Sequence, residues 1–457
     1  MRMGQLQSIF RLRPFDTSTA EGRSKERYRR AALTVVASGA ARGVGILTTL
    51  ISIPLTVRYL GTERYGLWVT ITSVIALLTF ADLGLGNGVL NAISEAHGGD
   101  DVESARKYVS SGFFMLLGIS LIVGLVFALL YSIVPWSRVF NVRSAVAARE
   151  AGPAMAVFFA CFAINIPFGI VQRVQMGYQR GFISSLWQAL GGVLGLAGIL
   201  VVIRQSGGLP WLVLAVAGAA TLATAGNWLQ EFRWSRPWLW PSWHLVEWQV
   251  SRKLARLGFL FFVLQVSAGV AFASDNLIAT QVLGASAAAH FSVAQRIFMI
   301  PPLLMALIIG PLWPAYGEAL ARGDRGWVRR TFYGSLALTI SCCAVLAAGL
   351  VLLSEPIFSH WVGPALVPSA ALAVGLAIWS IMYTWGTTVA MLLNAASIIG
   401  FQVVTALALA FSSIALKVAL ISHVGIAGLA WALVVSYTVV VFVPTSLYLA
   451  RWFRQAW

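Results

Sequence analysis

The sequence predicts an all-α polytopic membrane protein, with about twelve transmembrane helices in two six-helix lobes, on three observations. Of 457 residues, 59% are hydrophobic and only 11% charged, where soluble domains carry about 25% charged residues. The apolar residues gather into long runs separated by short polar breaks. Inside a bilayer only helices or closed barrels satisfy the backbone, and runs of about 20 apolar residues mean helices. Lysine and arginine crowd into alternate breaks, the positive-inside signature of a chain threaded back and forth.

In chain order, residues 1–30 form a basic N-terminal segment, expected to be mobile and to meet anionic lipid. The first lobe, 31–230, holds spans near 31–57, 64–86, 107–134, 153–176, 183–203 and 209–230. The second, 254–450, holds spans near 254–280, 288–315, 328–353, 367–393, 398–421 and 425–450. Between the lobes, residues 231–253 mix Trp234, Trp238, Trp240, Trp243 and Trp248 with Arg233, Arg236, Arg252 and Lys253. That mixture suits the headgroup layer and predicts a surface-lying linker; residues 451–457 are a short tail. An even number of spans puts both termini on one side. With the N-terminus in the cytoplasm, Arg27, Arg29, Arg30, Arg106, Lys107, Arg252, Lys253, Arg329 and Arg330 all fall inside. A weak repeat supports two parallel halves. Leu60-Gly61 and Leu283-Gly284 each follow the first helix of a half, implying a pseudo-twofold along the membrane normal.

The net charge of +16 reads as topology signal and attraction to anionic headgroups, not as nucleic-acid binding. Cys161, Cys342 and Cys343 lie in apolar runs and suggest neither disulfides nor a metal site. The first apolar run is too long for the core of a cleavable signal peptide. No hydrolytic, redox or phosphate-cradling motif appears, so neither an enzyme nor a resident cofactor is expected. Gly84-Leu85-Gly86-Asn87-Gly88 reads as the end of a helix.

Polar residues inside the spans are the candidates for function. An arginine at a helix centre costs about 2.5–3.5 kcal/mol on insertion scales. Arg42 nevertheless sits mid-span, and Ser38, Arg42, Gly45, Thr49, Ser52 and Thr56 follow at steps of four and three on one helical face. The fourth span carries Cys161, Asn165, Gln172 and Gln175 on one face, the second Tyr65, Thr72 and Thr79, the tenth Ser380, Thr384, Thr387 and Asn394. Each stripe alone reads either as interhelical packing or as a hydrated wall; together they point to a shared lumen. Asp275 and Arg296 pair in a salt bridge or face that lumen separately. Asp82 is interfacial or an ion-coupling group. Lys417 is expected to snorkel to an interface, and His290 is read as structural. The candidate lumen residues are therefore Arg42, Thr49, Tyr65, Asn165, Gln172 and Arg296, with Asp82 and Asp275 as candidate ion-coupling carboxylates.

Leu60-Gly61 through Tyr65-Gly66-Leu67-Trp68, then Ala81-Asp82-Leu83-Gly84-Leu85-Gly86-Asn87, Ser94-Glu95-Ala96 and Ala105-Arg106-Lys107, carry a family resemblance, as does Asp275-Asn276-Leu277-Ile278 in the second half. The chain resembles the polysaccharide transporters, the O-antigen-type flippases, of the multidrug/oligosaccharidyl-lipid/polysaccharide exporter superfamily. The resemblance implies a multi-pass protein of the bacterial cytoplasmic membrane. It would move polyprenyl-pyrophosphate-linked oligosaccharide to the outer leaflet by alternating access, for surface polysaccharide synthesis. It also implies coupling to H⁺ or Na⁺ through Asp82 or Asp275, and work beside a polysaccharide polymerase and other export-assembly proteins. Arg42 and Arg296 would hold the pyrophosphate, and threonine, asparagine, glutamine and tyrosine side chains the sugars. A multidrug or small-solute exporter of the same superfamily is the alternative, but a central arginine argues against cationic substrates. A membrane glycosyltransferase or polymerase would need a sizeable outer loop bearing catalytic residues, and the outer loops here are short. A non-transporting assembly partner is compatible with the sequence as well.

Overall fold

A chain that cannot hydrogen-bond its backbone to lipid folds into helices, and no strand occurs among the described residues. In the computed structural model residues 15–16, 19–78, 82–140, 144–283, 285–361 and 364–455 are described. Among them, eleven helices are long and apolar enough to cross a membrane. They match every expected span except 64–86, whose helix is described as far as Leu78. The chain divides into two compact units, Met1–Phe259 and Leu260–Trp457.

The first unit opens with α1, Ala20–Leu78, bent at Gly61. Gly61 sits at φ 75°, ψ 171°, a conformation that strains any residue with a Cβ, so the glycine fixes where the first span ends. At its other end α1 begins at Ala20, eleven residues before the expected span (31 − 20). The stretch expected to be mobile is thus helical from Ala20 onward. Glu26 is only 3% exposed and bridges Arg29 at 2.7 Å and Arg30 at 2.8 Å, the spacing at which side chains meet on one helix face. Arg30 also donates to the Tyr178 carbonyl at 3.4 Å. Residues 1–14 lie outside the described residues.

The glycine run expected to end a helix instead opens one. Asp82–Gly84 form a turn, and Gly84 at φ 72° precedes α2, Leu85–Gly98. The Asp82 carboxylate accepts the Gly84 N–H at 2.9 Å and so caps that turn. Nearly all of α2 is buried, in an apolar cluster with α3, Val102–Tyr131, and α5, Ile170–Gly177. The unit is completed by α4, Ala145–Phe168, α6, Gly181–Arg204, and α7, Leu209–Ser235. Lipid offers little hydrophobic drive for helix association, so small residues make the close contacts. A Cβ on Gly191 of α6 would lie 3.1 Å from that of Ala223 on α7, and one on Gly192 3.7 Å from the Thr48 hydroxyl on α1.

The tryptophan-rich stretch after α7 is laid along α3. Ser110 accepts the Ser242 N–H at 3.2 Å, Ser111 the Glu247 N–H at 3.4 Å, and Lys107 bridges Glu247 at 2.9 Å. Leu239 is fully buried beneath it, while Trp234, Trp243 and Trp248 are 67–79% exposed.

The next helix, α8, Trp248–Leu283, carries the chain into the second unit. There follow α9, Ala285–Phe298; α10, Ile300–Ile309; α11, Leu312–Ala321; and α12, Arg325–Leu352. The unit ends with α13, Ser354–Trp361; α14, Ala370–Ala395; α15, Ile399–Val424; and α16, Ala427–Arg454. The eighth span breaks at Met299 and again at Gly310, where Pro301, Pro302 and Pro311 supply no N–H to the helical ladder. Asp324 and Ser369 cap α12 and α14 by accepting the N–H of Trp327 and Leu372, each at 3.3 Å. Leu372 and Leu376 of α14 are buried against Phe291, Phe298, Phe358 and Leu429.

Candidate functional site

The glycines that let α6 approach α1 and α7 also leave a space between them. A cavity of about 440 Å³ lies there, within the usual range of about 300–1,000 Å³ for ligand sites. Leu196, Ile199, Val216 and small residues make up the apolar part of its lining, and the polar part has a local reason on each helix. On α1 the Thr48 and Thr49 hydroxyls donate to the Gly45 carbonyl, at 3.0 and 2.7 Å, and Ser52 donates to Thr49 at 3.1 Å. Those protons are spent on the helix, so the hydroxyls face the cavity as acceptors. Asn165 of α4 donates to Thr221 at 3.5 Å. Gln172 on α5 and Gln188 on α6 add two amides to the lining, and no charged side chain lines it.

Trp187 supplies the aromatic part of the wall. Its indole N–H donates to Gln230 at 2.6 Å. Its six-membered ring packs where a Cβ on Gly226 would come within 2.8 Å of it.

The floor is a closed hydrogen-bond network. Ser184 and Asn227, both lining residues, donate to the Gln175 carbonyl oxygen at 2.5 and 3.1 Å. Gln175 in turn donates to Asn227 at 2.7 Å and to Glu231 at 3.0 Å. Gln175 and Glu231 are 0% exposed and Asn227 1%. The Glu231 charge is met by Arg236 in direct contact and by Arg180 at 3.9 Å. Arg236 also lies over the Tyr178 ring, 4.1 Å from its centroid. Burial pushes the Tyr178 phenol up to about 12.

Thr49, Asn165 and Gln172, named from the sequence, thus meet in one cavity, with Gln175 directly beneath. The other named residues do not join them. Arg42 is exposed on α1, about two turns from Thr49 toward Ala20, and is not on the wall. Tyr65 packs into an apolar cluster around Leu60, Leu67 and Met155. Asp82 is a turn cap whose carboxylate, with the Arg173 side chain, closes over Gly86; a Cβ there would fall within 2.8 Å of both.

In the second unit Arg296 is exposed and Asp275 takes a different partner. Asp275, fully buried, lies 2.5 Å from the ammonium of Lys417 and accepts from Gln295 at 3.1 Å. Lys417 is also fully buried and donates to the Ala271 carbonyl and, at 3.1 Å, to Ser274. The expected snorkelling of Lys417 is therefore corrected. A carboxylate, a carbonyl and a hydroxyl at depth compensate the ammonium better than a stretched side chain reaching for water. The tenth-span stripe is spent on packing: Ser380 donates to Phe298 and Thr384 to the Cys343 sulfur at 3.2 Å, while Asn394 accepts from Gln402 at 3.0 Å. The Thr72 and Thr79 side chains lie outside the described residues.

Sequence reasoning missed Trp187, Gln188, Thr224 and Asn227. A signal was present: Thr221, Thr224, Asn227 and Glu231 recur at steps of three and four along α7, a polar face as regular as the one on the fourth span.

The polysaccharide biosynthesis protein family matches residues 33–319. No curated protein matches the chain by sequence. Solved structures share the fold. A Vibrio cholerae MATE transporter superposes with TM-score 0.78 at 13% identity, over 95% of this chain and 98% of that one. A MATE protein in complex with MaD3S gives 0.77 at 14%, over 93% and 95%. A MOP superfamily transporter from Pyrococcus furiosus, described as having a binding pocket of reverse polarity, gives 0.74 at 14%, over 92% and 96%. At such identities the likeness establishes the fold, that of MATE-type transporters.

Proposed function

Because the chain belongs to the polysaccharide biosynthesis protein family and has the fold of membrane transporters of the MOP superfamily, we propose that it is a flippase for polyprenyl-pyrophosphate-linked oligosaccharide. The observation that carries this reading is a cavity among the spans whose lining sets hydroxyls and amides among apolar residues and includes no charge. A glycan is a dense array of hydroxyls, and crossing a bilayer strips them of water, at a cost of roughly 2–7 kcal/mol for each polar group left without a partner. A transporter for such a head group needs many neutral donors and acceptors inside its spans, and α1, α4, α5, α6 and α7 supply them.

We assign the pyrophosphate to Arg42. Its exposed guanidinium stands on the helix that supplies Thr48, Thr49 and Ser52, and guanidinium forks match phosphate oxygens. The lipid tail stays in the bilayer while the head group crosses by alternating access. We place the chain in the bacterial cytoplasmic membrane with both termini inside, where polymerase and export proteins would take up the flipped glycan. Asp275 is assigned to structure rather than to ion coupling, since Lys417 already compensates its charge.

A drug exporter with this fold would need a carboxylate or an aromatic cage for an organic cation, and the cavity wall carries neither. Depleting the protein in its host and extracting lipids for mass spectrometry tests the proposal. Accumulation of a polyprenyl-pyrophosphate oligosaccharide, with loss of one surface glycan, is expected. Unchanged carrier lipids with altered drug tolerance would overturn it.

A further inference from the structure

We propose that the first-unit cavity is a subsite for an uncharged sugar ring of the carried glycan, with Gln172 and Gln188 setting its selectivity and Trp187 as its platform. This rests on the flippase reading above and adds which part of the substrate the cavity takes.

Charge balance comes first. The wall holds no ionised group. The carboxylate nearest its floor, Glu231, is sealed beneath Gln175 and met by Arg236 and Arg180. A pyrophosphate, a uronate or an organic cation entering this space would leave an uncompensated charge among membrane spans, which is expensive. A neutral ring would not.

Hydrogen-bond complementarity comes next. The α1 hydroxyls have spent their protons on backbone carbonyls, so they accept. Among the described residues, the Gln172 and Gln188 amides have no hydrogen-bond partner of their own. Each offers two donors and an acceptor, the mixture that sugar hydroxyls, themselves donors and acceptors, require. Asn165 on the wall and Asn227 at the floor are already bonded within the fold, which leaves Gln172 and Gln188 as the lining amides free to meet a ligand.

The aromatic wall is held before any ligand arrives. Trp187 is fixed at its indole nitrogen by Gln230 and at its ring by Gly226. An anchored ring presents an apolar surface to the C–H side of a sugar with little further ordering cost.

The test uses the full-length protein in nanodiscs. The probes are the glycan released from carrier lipid that accumulates in depleted cells, and tetraphenylphosphonium as a cation. Saturation-transfer NMR should show binding of a neutral glycan and none of the cation. Gln172→Ala combined with Gln188→Ala should weaken glycan binding roughly tenfold, the loss of one to two hydrogen bonds. Gln188 is exposed, so Gln188→Ala alone serves as a variant that keeps the fold, and it should show part of the same loss. Equal glycan binding by wild type and the double variant overturns the subsite, as does cation binding that these substitutions abolish. An acidic glycan whose binding depends on these amides overturns the uncharged class. If depleted cells accumulate no carrier-linked glycan, the flippase reading falls and the subsite with it; if glycan accumulates but binds independently of the amides, only the subsite falls.

Discussion

The two units treat buried polarity in opposite ways. In the second, Asp275, Lys417, Gln295, Ser380 and Thr384 are hydrogen-bonded or ion-paired to one another or to backbone carbonyls. In the first, Gln175, Asn227 and Glu231 are equally closed on themselves, but the layer above them is open: Gln172, Gln188 and the α1 hydroxyls face a cavity. The residue types are similar and the periodicity in sequence is similar. What separates packing from site is whether the polar side chains line an open space, as Thr49 and Gln172 do, or meet another helix, as Ser380 and Thr384 do.

That contrast can be broken by substitution. The largest effect is expected where charge is most deeply compensated. Lys417→Met leaves Asp275 buried and unpaired, and should lower stability by about 3–5 kcal/mol. Adding Asp275→Asn should restore most of it and leave transport intact, read from thermal unfolding and glycan export. If the single variant is as stable as wild type, the pair is not holding α8 to α15.

Beneath the cavity, Glu231→Gln keeps the shape but removes the charge that meets Arg236 and Arg180. A loss of about 1–3 kcal/mol is expected, as for other buried hydrogen-bonded groups. Thr384→Val in the second unit removes a hydrogen bond between helices and should cost only about 0.6 kcal/mol, the average for such bonds in membranes. No change from Glu231→Gln would mean that the floor is not sealed.

The open layer should invert this order. Arg42→Ala and Gln188→Ala alter exposed residues, so their effect on stability should stay within about 0.5 kcal/mol. Their effect on glycan export should exceed that of every packing substitution. Export by Arg42→Ala at the wild-type rate would remove the pyrophosphate assignment.

The last effect, absent at neutral pH, concerns Tyr178. Burial raises its phenol to about 12, above the value near 10 of an unfolded chain. The stability this gives is present below about pH 10 and is lost as pH rises through about 12. Tyr178→Phe should remove that alkaline limb of the unfolding curve, and an unchanged limb would place its origin elsewhere.

These particulars show what a sequence carries. The spans were legible because a bilayer imposes their length, and the break near Gly61 because polar residues interrupt the apolar run there. Thr49, Asn165 and Gln172 were legible because a helix converts spacing into a face. The partner of Asp275 was not: Lys417 lies 142 residues away in sequence (417 − 275), and the choice between Arg296 and Lys417 is made by helix packing that no local pattern records. Nor could spacing tell the filled stripe of Ser380 and Thr384 from the open one of Thr49 and Gln172, since both are regular. Residues 20–30 were misjudged because composition announced charge, while Glu26 pairs Arg29 and Arg30 within one turn.

The most direct test of the central claim is leaflet transfer by the purified chain alone. Proteoliposomes containing a polyprenyl-pyrophosphate glycan on one leaflet would be probed with a lectin that reaches only the other. The account predicts that the glycan becomes accessible with wild-type protein and much more slowly with Arg42→Ala or the Gln172→Ala, Gln188→Ala pair. Accessibility no faster than in protein-free liposomes, with the protein shown to be folded, would contradict it.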